Sequence, residues 1–74
     1  MPPLSAREIE AMIAWFGSDS KIDAARSIDI SVGTINTHLT RIRQKYAAAG
    51  RPASTKAALF ARAIQDGLTK LDDW

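Results

Sequence analysis

The stretch from residue 20 to residue 46 reads SKIDAARSIDISVGTINTHLTRIRQKY, and it contains two runs with the apolar spacing of a helix. A serine stands immediately before each run, where its hydroxyl can accept hydrogen bonds from the free N–H groups of a first helical turn. Asp29 lies in the short connection and is expected to adopt the left-handed backbone conformation, which aspartate tolerates better than most residues. The stretch therefore predicts helices at residues 20–27 and 32–47, joined by a tight turn.

The second of these helices has two unlike faces. At 100° per residue its large apolar side chains fall within about 60° of one another, in a stripe formed by Ile35, Leu39, Ile42 and Tyr46. The rest of the circumference carries hydroxyls, two amides, a histidine and three cations, and no acid. Two helices joined by a tight turn, with the second polar and cationic on its outer side, follow the plan of a helix-turn-helix DNA-binding unit.

The polar face contains the two kinds of side chain that a DNA groove requires. Short hydrogen-bonding groups suit base edges, and longer cations and flanking polar groups suit phosphates. Gly33 lies opposite the apolar stripe, where a missing side chain would let the start of the helix approach DNA closely. The residues expected to contact base edges are Asn36, Thr37, Thr40 and Arg41. The residues expected to contact phosphates are Thr34, His38, Arg43 and Lys45.

The distribution of charge favours an anionic partner more than the net charge of +2 does. No acid occurs between Ile30 and Gln65, whereas the same block keeps six cations. Acids are present on both sides of the block, so their exclusion is local. Such a block is typical of a nucleic-acid-binding surface, although a solvated basic helix face remains an alternative from charge alone.

The flanking segments predict one further helix on each side. A Ser-x-x-Glu capping box near the start of the chain predicts a helix at residues 6–16. Ser54 or Thr55 is expected to cap a helix at residues 55–66. No strand pattern is present, so the fold is predicted to be all-α, a compact four-helix helix-turn-helix domain. The predicted core consists of Ile9, Met12, Ile13, Phe16, Ile22, Ala25, Ile35, Leu39, Ile42, Tyr46, Leu59 and Ala63.

Length and composition exclude several classes of function. A chain of 74 residues forms one small domain, with no room for a catalytic unit beside a regulatory one. It has no cysteine, and its single histidine, His38, has no close carboxylate with which to form a catalytic pair or a metal cluster. We therefore expect no catalytic residue, no metal and no cofactor. The longest apolar run, residues 11–16, is far shorter than a bilayer span, so we expect a cytoplasmic protein without a membrane partner.

Two segments together resemble a known family. Residues 4–10 read LSAREIE, which is similar to the Leu-Thr-Pro-Arg-Glu-x-Glu opening of the LuxR-type (FixJ- or GerE-type) helix-turn-helix output domain. Residues 30–38 read ISVGTINTH, which is similar to the Ile-Ser-x-x-Thr-Val-x-x-His entry into that family's recognition helix. The resemblance extends over residues 4–68, and residues 69–74 with Trp74 are expected to form a tail.

The resemblance implies a function in transcription. Family members are DNA-binding output modules of bacterial regulators, often response regulators of two-component systems. An N-terminal receiver or sensor domain is therefore expected in the full-length protein, and RNA polymerase is a further candidate partner. The family's pattern adds Lys21 to the expected phosphate contacts. The chain departs from the pattern at Asp29, which replaces a turn glycine, and at Asn36, where a cation is common, so its base preference should differ from that of lysine-bearing relatives.

The last helix is predicted to be more apolar than a small core requires. The family pairs on DNA through this helix, so a weak homodimer is expected to use Ala57, Phe60 and Ile64. The surplus alanines have a simpler explanation as good helix formers. A different function also remains open, namely a small helical protein-interaction module that uses the same apolar face. The acid-free block distinguishes the two, because a protein partner would not require it.

Overall fold

The computed structural model describes the whole chain, from Met1 to Trp74. It contains four α-helices and no strand, which confirms the predicted all-α class. Their bounds lie within one residue of the predicted ones. A short 3₁₀ helix that was not predicted follows at Leu71–Asp73. The helices are α1 (Ala6–Phe16), α2 (Lys21–Ser27), α3 (Val32–Ala48) and α4 (Lys56–Gln65).

Each α-helix begins at a hydroxyl residue whose side chain accepts a hydrogen bond from the backbone N–H three residues later. The four caps are Ser5, Ser20, Ser31 and Thr55, so Thr55 rather than Ser54 caps α4. At Ser5 the capping box is complete, because the Glu8 carboxylate also accepts a hydrogen bond from the Ser5 backbone N–H at 2.8 Å. These caps satisfy donors that the first helical turn leaves free, so they position the start of each helix.

Three residues with positive φ shape the turns. Asp29 has a φ of 59°, as predicted for the connection between α2 and α3. The N–H of Ile30, the next residue, donates a hydrogen bond to the carbonyl of Ala25 at 3.0 Å. Gly50 and Gly67, with φ of 73° and 72°, end α3 and α4. Because glycine adopts this conformation without strain, the chain can reverse immediately after each helix.

The core is built around α3. Its stripe of Ile35, Leu39, Ile42 and Tyr46 is fully buried, as predicted, and α1 and α2 both pack against α3. Leu59 and Ala63 of α4 are also fully buried, as predicted. Ala53, in the loop before α4, joins the core although it was not predicted to do so. The helix that carries the candidate site therefore shares one buried core with the other three α-helices.

The predicted core face of α1 was wrong by one position along the helix. Ile9, Ile13 and Phe16 are only half-buried, and of the predicted set Met12 alone is fully enclosed. The buried face instead comprises Glu8, Ala11, Met12 and Trp15, which have the same i, i+3, i+4, i+7 spacing. Glu8 is only 4% exposed, and its carboxylate pairs with the Lys45 ammonium, so this charged residue can lie on the buried face of α1 while Ile9 and Ile13 stay half-buried.

A second correction concerns α2. Ile22 was predicted to lie in the core, but it is 56% exposed. Ala24 and Ala25 are buried in its place. Small side chains at these positions let the short α2 pack closely against its neighbours.

Candidate nucleic-acid interface

The side of α3 opposite the core stripe is open to solvent. Its predicted base-contacting residues are all exposed: Asn36, Thr37, Thr40 and Arg41. The Thr37 hydroxyl donates a hydrogen bond to the carbonyl of Gly33 at 3.0 Å. The other three side chains form no hydrogen bond within the chain. Their donors and acceptors are therefore satisfied only by water, and a ligand can use them without breaking internal contacts.

The start of α3 presents bare backbone on the same side. Gly33 is exposed, and a Cβ added there would meet only the Ser31 hydroxyl oxygen, at 3.8 Å. Its φ is negative, so neither packing nor backbone conformation within the chain requires glycine here. Thr34 belongs to the cap, since its hydroxyl oxygen accepts from the Ser31 hydroxyl at 2.9 Å. That arrangement leaves the Thr34 hydroxyl proton free to donate to an anion.

Four of the six cations in the acid-free block are engaged inside the domain. Arg51 pairs with Asp66 at 2.8 Å, and Arg62 donates to Gln65 and to the carbonyl of Pro52. Lys45 pairs with Glu8, and Lys56 donates a hydrogen bond to the carbonyl of Ser18. Only Arg41 and Arg43 form neither an ion pair nor a hydrogen bond within the chain, so their guanidinium N–H groups are the ones of the block that no internal acceptor occupies.

Lys45 is the predicted phosphate contact that the fold engages most. Its ammonium lies 2.6 Å from Oε1 of Glu8 and 3.0 Å from the carbonyl oxygen of Pro3. Burial raises the pKa of the Glu8 carboxyl, but hydrogen bonds from Lys45 and Ser5 outweigh burial and hold the pKa below its ordinary value. Lys45 therefore has a structural function, and any phosphate contact would share its ammonium with Glu8.

Arg43 and His38 flank the open face of α3 on opposite sides, and each is half-buried. The Arg43 guanidinium carbon lies 5.3 Å from the centre of the Trp15 ring, and its Nε is buried without a partner. Trp15 is buried, and the ammonium nitrogen of Lys56 also lies 5.2 Å from the centre of its ring. In His38 the buried Nδ1 has no partner, which leaves only Nε2 for a contact outside the chain. Lys21, the remaining predicted phosphate contact, is half-buried at the first position of α2 and has no ion-pair partner.

The candidate pairing surface of α4 is partly covered by the end of the chain. Ala57 is exposed, and Phe60 and Ile64 are half-buried. The Phe60 ring meets the ring of Phe16 edge-to-face at 5.1 Å and that of Trp74 at 5.8 Å. The segment of residues 69–74, which the sequence predicts to be a tail, therefore places Trp74 against α1 and α4. Sequence reasoning missed this contact because the order of residues shows no link between Trp74 and Phe16.

One known family has a model that matches most of the chain. The model for bacterial regulatory proteins of the luxR family matches residues 2–58, from the segment before α1 into the first turn of α4. The chain belongs to the LuxR family. It is accordingly a helix-turn-helix domain of a family of DNA-binding transcription regulators, which is not a family of enzymes. Comparisons with curated proteins and with solved structures gave no match.

Within the LuxR-family frame, α2 and α3 are the helix-turn-helix pair, and the open face of α3 is the candidate nucleic-acid surface. The match ends near the start of α4, so the aromatic contacts of Trp74 lie outside it. None of the helices has both the length and the apolar composition needed to span a bilayer.

Proposed function

We propose that this LuxR-family domain binds double-stranded DNA in a sequence-specific manner, with α3 in the major groove, as the output module of a bacterial transcriptional regulator. The observation that carries the proposal is the open face of α3, where Asn36, Thr40 and Arg41 are exposed and form no hydrogen bond within the chain. An amide, a hydroxyl and a guanidinium are the groups that read base edges by hydrogen bonding. A face kept for solubility alone would not need to exclude acids.

The proposed phosphate contacts surround this face. Arg43 and Lys21 carry charge that no carboxylate neutralises, and Thr34 offers a free hydroxyl proton at the start of α3. His38 offers Nε2 on the opposite flank from Arg43. Lys45 can add to the local potential, but most of its charge is balanced by Glu8. We therefore expect Arg43 to contribute more than Lys45 to the salt dependence of binding.

Two copies are proposed to bind one operator. A single domain of this size touches few base pairs, so its specific affinity at physiological salt should be low. Pairing through Ala57, Phe60 and Ile64 of α4 would join the contacts of two domains on adjacent half-sites. One helix face buries much less than a standard stable interface, so the pair should form on DNA and not in dilute solution. An N-terminal receiver or sensor domain in the full-length protein, and contact with RNA polymerase, are proposals that rest on the family alone.

The alternative is a protein-interaction module that uses the apolar side of α4. The shallow groove lined by Phe16, Lys56, Ala57 and Phe60 favours this alternative. The protein-interaction alternative gives no function to the acid-free face of α3, whose side chains lack partners within the chain, so we rank this alternative second.

The decisive experiment is selection of bound duplexes from a random DNA pool, followed by sequencing. The proposal predicts a defined motif, and Arg41→Gln should lose preference at about one base pair by about 1–3 kcal/mol. Arg7→Gln is the matched control, because Arg7 lies on α1 and pairs with Glu10. Recovery of no motif, with salt-sensitive binding that ignores sequence, would reject sequence-specific reading.

A further inference from the structure

The far end of the chain packs against the surface proposed for pairing. The Trp74 ring lies 6.4 Å from that of Phe16 and 5.8 Å from that of Phe60, and both contacts are edge-to-face. With the Phe16–Phe60 contact, these three rings form a closed aromatic cluster. Edge-to-face pairs are favourable beyond the area that they bury, so the cluster holds residues 69–74 against the domain.

Two further features stabilise this position of Trp74. Its indole N–H donates to the hydroxyl of Thr69 at 3.0 Å, and the 3₁₀ helix between the two residues shortens the segment. Gly17, at the end of α1, makes room for the ring, because a Cβ there would lie 3.1 Å from Cζ3 of Trp74. Trp74 nevertheless remains 51% exposed, so its contact is shallow enough to open without unfolding the core.

Trp74 packs against the ring of Phe60, which belongs to the surface proposed for pairing. Phe60 lies beside Ala57 and Ile64 on one side of α4, and a groove next to it, lined by Phe16, Lys56 and Ala57, stays open. We propose that residues 69–74 act as an intramolecular strap that covers Phe60, the middle residue of the α4 pairing surface, and competes with pairing of two copies. The inference rests on the proposed pairing through α4, and it gives that surface a closed and an open state.

The test measures self-association without DNA, by sedimentation equilibrium of the whole 74-residue chain up to millimolar concentration. Trp74→Ala should lower the dissociation constant of the pair about tenfold, which corresponds to about 1.4 kcal/mol. Leu71→Ala is the matched control in the same segment, because Leu71 is 69% exposed and lies outside the aromatic cluster. It should leave the dissociation constant unchanged.

Two more variants separate competition from other effects. Gly17→Ala keeps Trp74 but forces its ring to shift by a few tenths of an ångström, which weakens the ring contacts, so it should tighten pairing in the same direction by a smaller factor. Ile64→Lys in the Trp74→Ala background should cancel the gain, which excludes non-specific association of newly exposed rings.

The inference is overturned if Trp74→Ala and Gly17→Ala leave the dissociation constant unchanged or raise it, since Trp74 would then be packing alone or part of the interface. It is also overturned if the gain survives Ile64→Lys, because the copies would then pair elsewhere. Since no DNA is present, failure of the proposed sequence-specific DNA binding would not alter these readings.

Discussion

The ammonium of Lys45 lies 2.6 Å from the carboxylate of Glu8 and joins α3 to α1 across 37 residues of chain. Glu8 also completes the cap of α1, so one carboxylate both caps α1 and pairs it with α3. With Glu8 paired, α1 buries the face that also carries Met12 and Trp15, and it leaves Ile9 and Ile13 half-buried.

Breaking this pair should destabilise the domain. Lys45→Met leaves the Glu8 carboxylate buried without its counterion and should cost about 1–3 kcal/mol of unfolding free energy, less than a fully buried pair because part of the Lys45 side chain is exposed. Urea unfolding measures the cost. Glu8→Gln combined with Lys45→Met should recover much of the lost unfolding free energy. An unchanged urea midpoint for Lys45→Met alone would contradict the structural function assigned to Lys45.

The phosphate role of Lys45 remains a separate prediction. In variants that stay folded, loss of one phosphate contact should reduce the slope of log K against log salt by about 0.9 on every duplex. Arg43→Gln should produce this change more fully than Lys45→Gln, because no carboxylate neutralises Arg43. Equal slopes for the parent and both variants would remove these residues from the phosphate contacts.

Stability should fall in acid. The pKa of Glu8 is held below its ordinary 4.5, where hydrogen bonds from Lys45 and Ser5 outweigh burial, and the pKa of Asp66 is held below its ordinary 3.8, chiefly by the Arg51 guanidinium. A lowered pKa in the folded state contributes stability above the unfolded pKa, and that contribution is lost as pH falls through the folded value. Unfolding free energy measured between pH 7 and pH 2 should therefore drop below about pH 4.5. Glu8→Gln should flatten part of this drop.

Thr37 and Asn36 should affect preference more than general affinity. Replacing either by alanine should alter discrimination by about 1–3 kcal/mol at one or two base pairs, because each would lose a base-edge contact. Thr37→Ala also removes the side-chain hydrogen bond to the carbonyl of Gly33, so helix content measured by circular dichroism serves as its folding control. If Thr37→Ala kept both affinity and preference, α3 would not read bases with this residue.

Gly33→Ala tests how closely α3 approaches DNA. The free domain has space for the added methyl group, and alanine favours a helix, so thermal stability should rise slightly. Affinity for the selected duplex should nevertheless fall, because the methyl group would separate the backbone from DNA. Stability and affinity that rise together would show that this end of α3 stays away from the groove.

Pairing on DNA should depend on the apolar side of α4. Ile64→Lys and Ala57→Lys should abolish cooperative binding to a duplex with two half-sites while leaving single-site binding intact, as measured by titration of both duplexes. Phe60→Lys should act in the same way, but its ring also packs on Phe16, so its unfolding midpoint must be compared. Cooperativity that survives all three changes would locate the pairing surface elsewhere.

Much of the fold could be predicted from sequence because its signals are local. A hydroxyl at each helix start, an aspartate in the α2–α3 turn and glycines after α3 and α4 act within a few residues, and the structure shows each in that position. The stripe of α3 was also predictable, because a helix with one narrow apolar side has only one way to face a core. The open face of α3 follows from that stripe.

The face of α1 and the position of Trp74 depended on tertiary contacts. Two faces of α1 have the same helical spacing, and the buried one includes Glu8, which a residue-by-residue pattern counts as polar. Lys45, distant in the chain, stabilises Glu8 in this buried position. Trp74 folds back because Phe16 and Phe60, far from it in the chain, present ring edges beside Gly17. Local sequence determined the helices and the polar face of α3, whereas pairing of distant charges and rings decided which side of α1 is buried and what covers α4.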